Sequence, residues 1–282
     1  MTRAAHEAAY TLRGLSFAAL EWGEPDGSPP VVLLHGFLDH AGSWARVAER
    51  LTGHVVALDL RGHGHSAWCG PGESYHFPEY VADVDALVAH LGGCVRLVGH
   101  SMGGTIATLY AGARPDAVTR LVVVDGIGIP DGGAGARGRM VEFLDGLRRV
   151  RAHRAHPTID AAAERLRATW TGLDPAWARE LAERGTRAVE GGFAWRYDPR
   201  HLVRAAAPYR QDQHLTFLGA IRCPVLSVHP ERSLFPAAEV AKLEAAVPDL
   251  TVADVPGAGH MTQMDAPLAL AAHLAAFLDE RA

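Results

Sequence analysis

Six short apolar runs recur along this chain and set the strongest limit on its fold. They are VVLLHG (Val31–Gly36), HVVALDL (His54–Leu60), VRLVGH (Val95–His100), LVVVDG (Leu121–Gly126), VLSVH (Val225–His229) and LTVADV (Leu250–Val255). Their Val and Leu residues do not alternate with polar ones, so a strand built from each must be buried on both faces. That requirement predicts an α/β fold with a mostly parallel, doubly wound sheet and helices on each side. PEYVADVDALVAHLG supplies one such helix, with Pro78 in its first turn and a glycine pair at its end. TLRGLSFAALEWG, ahead of the first run, predicts an antiparallel hairpin at the sheet edge.

The rhythm stops at Ile127 and resumes near Leu215. A structureless loop of that length is uncommon inside a compact domain. The segment predicts an inserted helical cap (127–215) over a core made of 1–126 and 216–282. The cap holds 15 Arg against 11 Asp and Glu. The whole chain has a net charge of -5 and a pI near 6.3, which lacks the basic footprint of a nucleic-acid binder.

Gly99-His100-Ser101-Met102-Gly103 lies between an apolar run and an Ala-rich helix. A serine on such a sharp strand-to-helix turn is pushed out of the backbone as a nucleophile, and glycines two residues either side avoid collision. The helix N-terminus favours negative charge beside it. A second amide is expected after the first apolar run, in HGFLDHAGSW. The backbone N–H groups of Phe37 and Met102 then form a two-donor oxyanion hole, each donor contributing about 3–4 kcal/mol to the transition state. The general base is read as His260, in the glycine-rich loop VPGAGHMTQMDAP after the last run. His63 and His65 are read as surface or turn residues, and His100 as packing.

HGFLDHAGSW, DLRGHGHS, GHSMGG and GAGHMTQMDAP together resemble the α/β-hydrolase fold family over nearly the whole chain. The resemblance implies an oxyanion loop, a structural turn, a nucleophile elbow and a histidine loop, in that order. A serine at 101 excludes the mechanisms of haloalkane dehalogenases and epoxide hydrolases, which need an aspartate there. Within the family, ERGTRAVEGGFAWRYDPR (Glu183–Arg200) is similar to a segment of the serine-hydrolase-like proteins.

The resemblance also raises a difficulty. Most of the family places its catalytic acid in the turn after the next-to-last strand. Here that turn reads Pro230-Glu231-Arg232-Ser233-Leu234, with no aspartate. Other branches place the acid on the strand after the nucleophile helix, where this chain has Asp125. Asp125 is therefore the expected third member with Ser101 and His260, with Glu231, or a dyad or water-supported histidine, as alternatives. Asp254 and Asp265 are read as structural.

In the cap, Phe193, Trp195 and Arg196 are candidates for substrate contact, although alternating aromatics more often fasten a cap to its core. Cys69, Cys94 and Cys223 form no metal or redox spacing. No metal or cofactor is expected, nor a membrane or nucleic-acid partner, and the expected location is cytoplasmic. The expected activity is hydrolysis of a small to medium ester or thioester through an acyl-enzyme. The alternatives are C–C bond hydrolysis, a cofactor-free lyase or oxygenase, and a non-catalytic receptor. The sequence leaves the oligomeric state open.

Overall fold

The computed structural model describes residues 3–129 and 135–279. Its centre is an eight-stranded sheet of β1 (His6–Leu12), β2 (Leu15–Trp22), β3 (Val31–Leu34), β4 (Val55–Leu58), β5 (Val95–His100), β6 (Val118–Val124), β9 (Val225–Arg232) and β10 (Leu250–Gly259). β7 (Thr186–Val189) and β8 (Gly192–Trp195) form a separate hairpin. The order across the large sheet is β1-β2-β4-β3-β5-β6-β9-β10. β1 and β2 are the antiparallel edge, and every pair from β4 to β10 is parallel. All six apolar runs became strands of this sheet, as double-sided burial requires.

Within β3, Val32 and Leu34 pack into the hydrophobic cluster on one face, with Leu97, Ile106 and Tyr110. Val31 and Leu33 pack on the other, with Trp44, Leu270 and Leu274. All four β3 side chains are at most 1% exposed. Burying such an aliphatic side chain is worth about 1.5–3 kcal/mol, so packing on both faces holds these strands together in one sheet. The helices Phe77–His90 and Met102–Ala113 cover the first face, and Pro267–Asp279 the second.

The insertion between β6 and β9 differs from an all-helical cap. It contains helices Ala136–Arg149, Ile159–Thr169 and Pro175–Gly185, followed by the β7–β8 hairpin. Glu190 and Gly191 form the two-residue turn, because Val189 pairs with Gly192. Gly191 and Gly192 both have positive φ, 82° and 136°. A Cβ at Gly192 would stand 2.0 Å from the His156 carbonyl, so only glycine fits where this hairpin meets the preceding chain. The alternation of Phe193, Ala194 and Trp195 is the period of a strand. Trp177, Leu181 and Ala182 form a small core with Met261 and Met264, the near neighbours of His260. Helix Gln211–Leu218 straddles the expected boundary at 215 and packs on the main core through Leu218. Among the described residues, no helix is long and apolar enough to cross a membrane.

Candidate active site

Ser101 occupies the turn between β5 and helix Met102–Ala113, with φ 51° and ψ −116°. Such a conformation costs of order 1–3 kcal/mol in a non-glycine residue and persists because its surroundings leave no alternative. A Cβ at Gly99 would lie 2.3 Å from the Gly103 carbonyl, and one at Gly103 would lie 2.4 Å from the Leu34 carbonyl. The glycines of the motif are thus places where backbone lies directly on backbone. Gly36 approaches in the same way, since a Cβ there would come within 3.3 Å of Ser101 Cβ. Phe37, Met102 and Ser101 line one cavity.

His260 is held from three directions. Its Nδ1 stands 2.6 Å from Asp125 Oδ2, and the two side chains are 9% and 4% exposed. Its carbonyl accepts a 2.7 Å hydrogen bond from His100 Nε2, next in sequence to Ser101. The amide of Gly259 donates to Asp265 Oδ2 at 2.7 Å, which braces the loop. Asp125 itself has φ 43°, a left-handed conformation that Asp tolerates better than most residues. Gly126 follows because a Cβ there would lie 2.5 Å from Ser101 Cα. The turn carrying the acid therefore leans on the turn carrying the serine.

Sequence reasoning missed Ser233. Its hydroxyl donates to Asp125 Oδ1 at 2.5 Å and accepts from the Phe235 amide at 2.9 Å. Asp125 thus spends one oxygen on His260 and the other on Ser233. The Phe235 ring lies edge-on to the His260 imidazole at 5.9 Å between centroids. Glu231 lies elsewhere. It is exposed, and its Oε2 accepts from the Gly257 amide at 2.7 Å.

His63 lies in a turn, as expected, but the surface alternative is corrected, because the residue is fully buried and packs under the loop after β3. Its Nε2 accepts from the Leu38 amide at 3.3 Å while Nδ1 faces the Arg61 carbonyl at 3.0 Å. Leu38 is left-handed, with φ 59°. Burial drives the His63 ring pKa well below its ordinary value. Burial likewise lowers His35 to about 3, so its Nε2 can accept from the Leu60 amide at 3.0 Å. His100 is lowered to about 3 by burial and by His260 beside it. These rings act as neutral spacers with fixed tautomers. The glycines around His63 in GHGHS were the available signal, since both have positive φ. His65 is exposed, as expected of a turn residue.

Phe193, Trp195 and Arg196 stand apart from the cavity that contains Ser101. Phe193 pairs with His156 through backbone bonds of 2.7 and 2.8 Å. Trp195 packs against the cap core. Arg196 Nε donates to the Thr186 carbonyl at 2.8 Å. Among the described residues lining that cavity, none of the three figures. Their alternation is spent on hairpin packing.

The model of the Alpha/beta hydrolase family matches residues 31–273. The chain belongs to this family. A serine hydrolase-like protein of Danio rerio is 31% identical over 224 residues, covering 76% of this chain and 68% of that one. Lipase LipV of Mycobacterium tuberculosis is 29% identical over 261 residues, covering 91% and 96%. In three dimensions, the thioesterase domain from the curacin biosynthetic pathway matches with a TM-score of 0.88 at 28% identity, covering 96% of this chain and 99% of that domain. Membership of the alpha/beta hydrolases fixes the scaffold, while the chemistry and the substrate rest on local geometry.

Proposed function

We propose that this chain is a serine acyl hydrolase that cleaves an ester or thioester through an acyl-enzyme. Ser101 Oγ attacks the carbonyl carbon and its proton passes to His260 Nε2. The Phe37 and Met102 amides hold the developing oxyanion. The imidazolium, steadied at Nδ1 by Asp125, returns the proton to the leaving oxygen or sulfur as the carbonyl–heteroatom bond breaks. Water then attacks the acyl-enzyme with His260 as base again, releasing the acid and Ser101. The insertion between β6 and β9 serves as a lid whose core rests on Met261 and Met264.

The observation that carries this reading is the 2.6 Å contact between Asp125 and His260, made by a turn packed on Ser101. It explains how the acid can act without an aspartate after β9. The thioesterase, lipase and serine hydrolase-like relatives support acyl transfer to water over proton abstraction alone. The test is a fluorophosphonate probe with p-nitrophenyl acetate turnover alongside. The wild type should label stoichiometrically and turn over, while Ser101→Ala should do neither. Turnover that survives Ser101→Ala would favour a proton-abstraction enzyme, and labelling without turnover of any ester or thioester a receptor.

A further inference from the structure

The cavity at Ser101 has a volume of about 1370 Å³, above the ~300–1,000 Å³ of ordinary small-ligand pockets. Its lining comes mainly from the nucleophile helix, the helix Phe77–His90 and residues 200–217. Met102, Leu109, Tyr110 and Ala113 line it from the nucleophile helix, and Phe77 and Val81 from the facing helix Phe77–His90. Met102 to Ala113 spans about 17 Å at 1.5 Å per residue, the reach of an extended acyl chain of about a dozen carbons.

Which half of a substrate lies there follows from the proton's path. His260 must protonate the leaving group, so the leaving group lies on the imidazole side, near Phe235 and Trp170. The cavity includes Ser101, Phe37 and Met102, but His260, Asp125, Phe235 and Trp170 are not among the described residues lining it. It therefore extends on the acyl side.

Its charge argues for a neutral chain. Five arginines border it, and four of these pair with carboxylates: Arg114 with Asp85 at 3.1 Å, Arg200 with Asp198 at 2.6 Å, Arg204 with Glu142 at 2.7 Å, and Arg210 with Asp212. The fifth, Arg139, donates from Nη1 to the Ala205 carbonyl at 3.4 Å. With four of the five guanidinium groups already paired to carboxylates, the rim offers reduced reward for burying an anion.

We infer that the groove between helices Phe77–His90 and Met102–Ala113 is an acyl site for a long, uncharged aliphatic chain, which rests on the hydrolase reading above. The preference is for chains near twelve carbons, beyond the small to medium esters and thioesters expected from sequence. Each methylene moved from water into the groove strengthens binding about three- to fourfold at most.

The experiment compares kcat/KM for p-nitrophenyl acetate, butyrate, octanoate and laurate below their critical micelle concentrations. The wild type should rise at least tenfold from butyrate to laurate. Leu109→Trp, placed about 10 Å along the groove from Met102, should cut the laurate-to-butyrate ratio at least tenfold. Val81→Trp, on the opposite wall, should do the same, with thermal melts verifying that each variant folds. A laurate analogue ending in a carboxylate should be at least tenfold poorer than laurate. A flat or falling profile in the wild type overturns the inference, as does a ratio unchanged in folded variants or a preference for the ω-carboxylate. Any of these, with acetate turnover and Ser101 labelling intact, leaves the hydrolase reading standing. Loss of labelling sinks both.

Discussion

β6 and β9 are neighbours in one parallel sheet and end at the same edge, yet they deliver different chemistry there. β6 ends in Asp125, a buried carboxylate in a left-handed turn against Ser101. β9 ends in Glu231 and Arg232, and the hydroxyl of Ser233, the next residue, donates to Asp125. The charged group has moved one strand toward the nucleophile, and a neutral donor stands beside it. A hydroxyl costs far less to desolvate than a second carboxylate, and it fills the acceptor capacity that His260 leaves on Asp125. Under the proposed mechanism the acid function would belong to the space around His260 Nδ1, which Asp125 fills directly and Ser233 only through Asp125.

Asp125→Asn tests the comparison most severely. Asn tolerates the same φ and fills the same volume, so the fold should survive. The amide cannot hold the correct imidazole tautomer, and kcat on p-nitrophenyl acetate should fall by about 10³–10⁴. Near wild-type turnover in a variant with an unchanged melting temperature would remove Asp125 from the reaction.

Adding Ser233→Asp to Asp125→Asn asks whether the two strand ends are interchangeable. Ser233 Oγ already lies 2.5 Å from Asp125 Oδ1, and an aspartate reaches one bond further. The double variant should regain at least about tenfold of the lost kcat, part of the 10²–10⁴ that a positioned acid–base pair supplies. No recovery would mean that the imidazole is addressable from β6 alone.

Much of this arrangement can be read from sequence because its signals are local. The six apolar runs need no partner to announce double-sided burial, and Gly99, Ser101 and Gly103 lie within five residues. Asp125 and His260 are 135 residues apart, and their pairing was expected from the family pattern rather than from spacing. Ser233 carries no such signal, because a hydroxyl in a turn looks the same whether it meets solvent or a carboxylate. The surface alternative for His63 failed for a related reason: its polarity suggests exposure, while its turn is buried and the ring meets the Leu38 amide and the Arg61 carbonyl. The β7–β8 hairpin hid in an arginine-rich stretch, where alternating aromatics were weighed as substrate contacts.

Ser233→Ala measures the hydroxyl alone. A hydrogen bond to a charged group contributes about 1.5–3 kcal/mol, and Asp125 keeps its bond to His260, so kcat should fall by about tenfold with KM unchanged. Ser233→Thr retains the donor and should restore most of that loss. A purely structural role would instead lower the melting temperature in Ser233→Ala without separating kcat from KM. If Ala and Thr behaved alike, the hydroxyl would have no part in steadying the acid.

Glu231→Gln should have the smallest effect, and its size bears on the alternative acid. Glu231 is exposed and its Oε2 accepts from the Gly257 amide, two residues ahead of Gly259 in the loop that carries His260. Gln keeps an acceptor oxygen at that position, so the loop should hold its shape and only a solvated charge is lost. Exposed charges of this kind are worth about 0–1 kcal/mol, which limits the change in kcat to within about fivefold, because the Asp125 contact is untouched. A fall of a hundredfold or more would mean that the β9 turn carries the acid in solution. Paired with an unaffected Asp125→Asn, that result would reverse the roles assigned to the two strand ends.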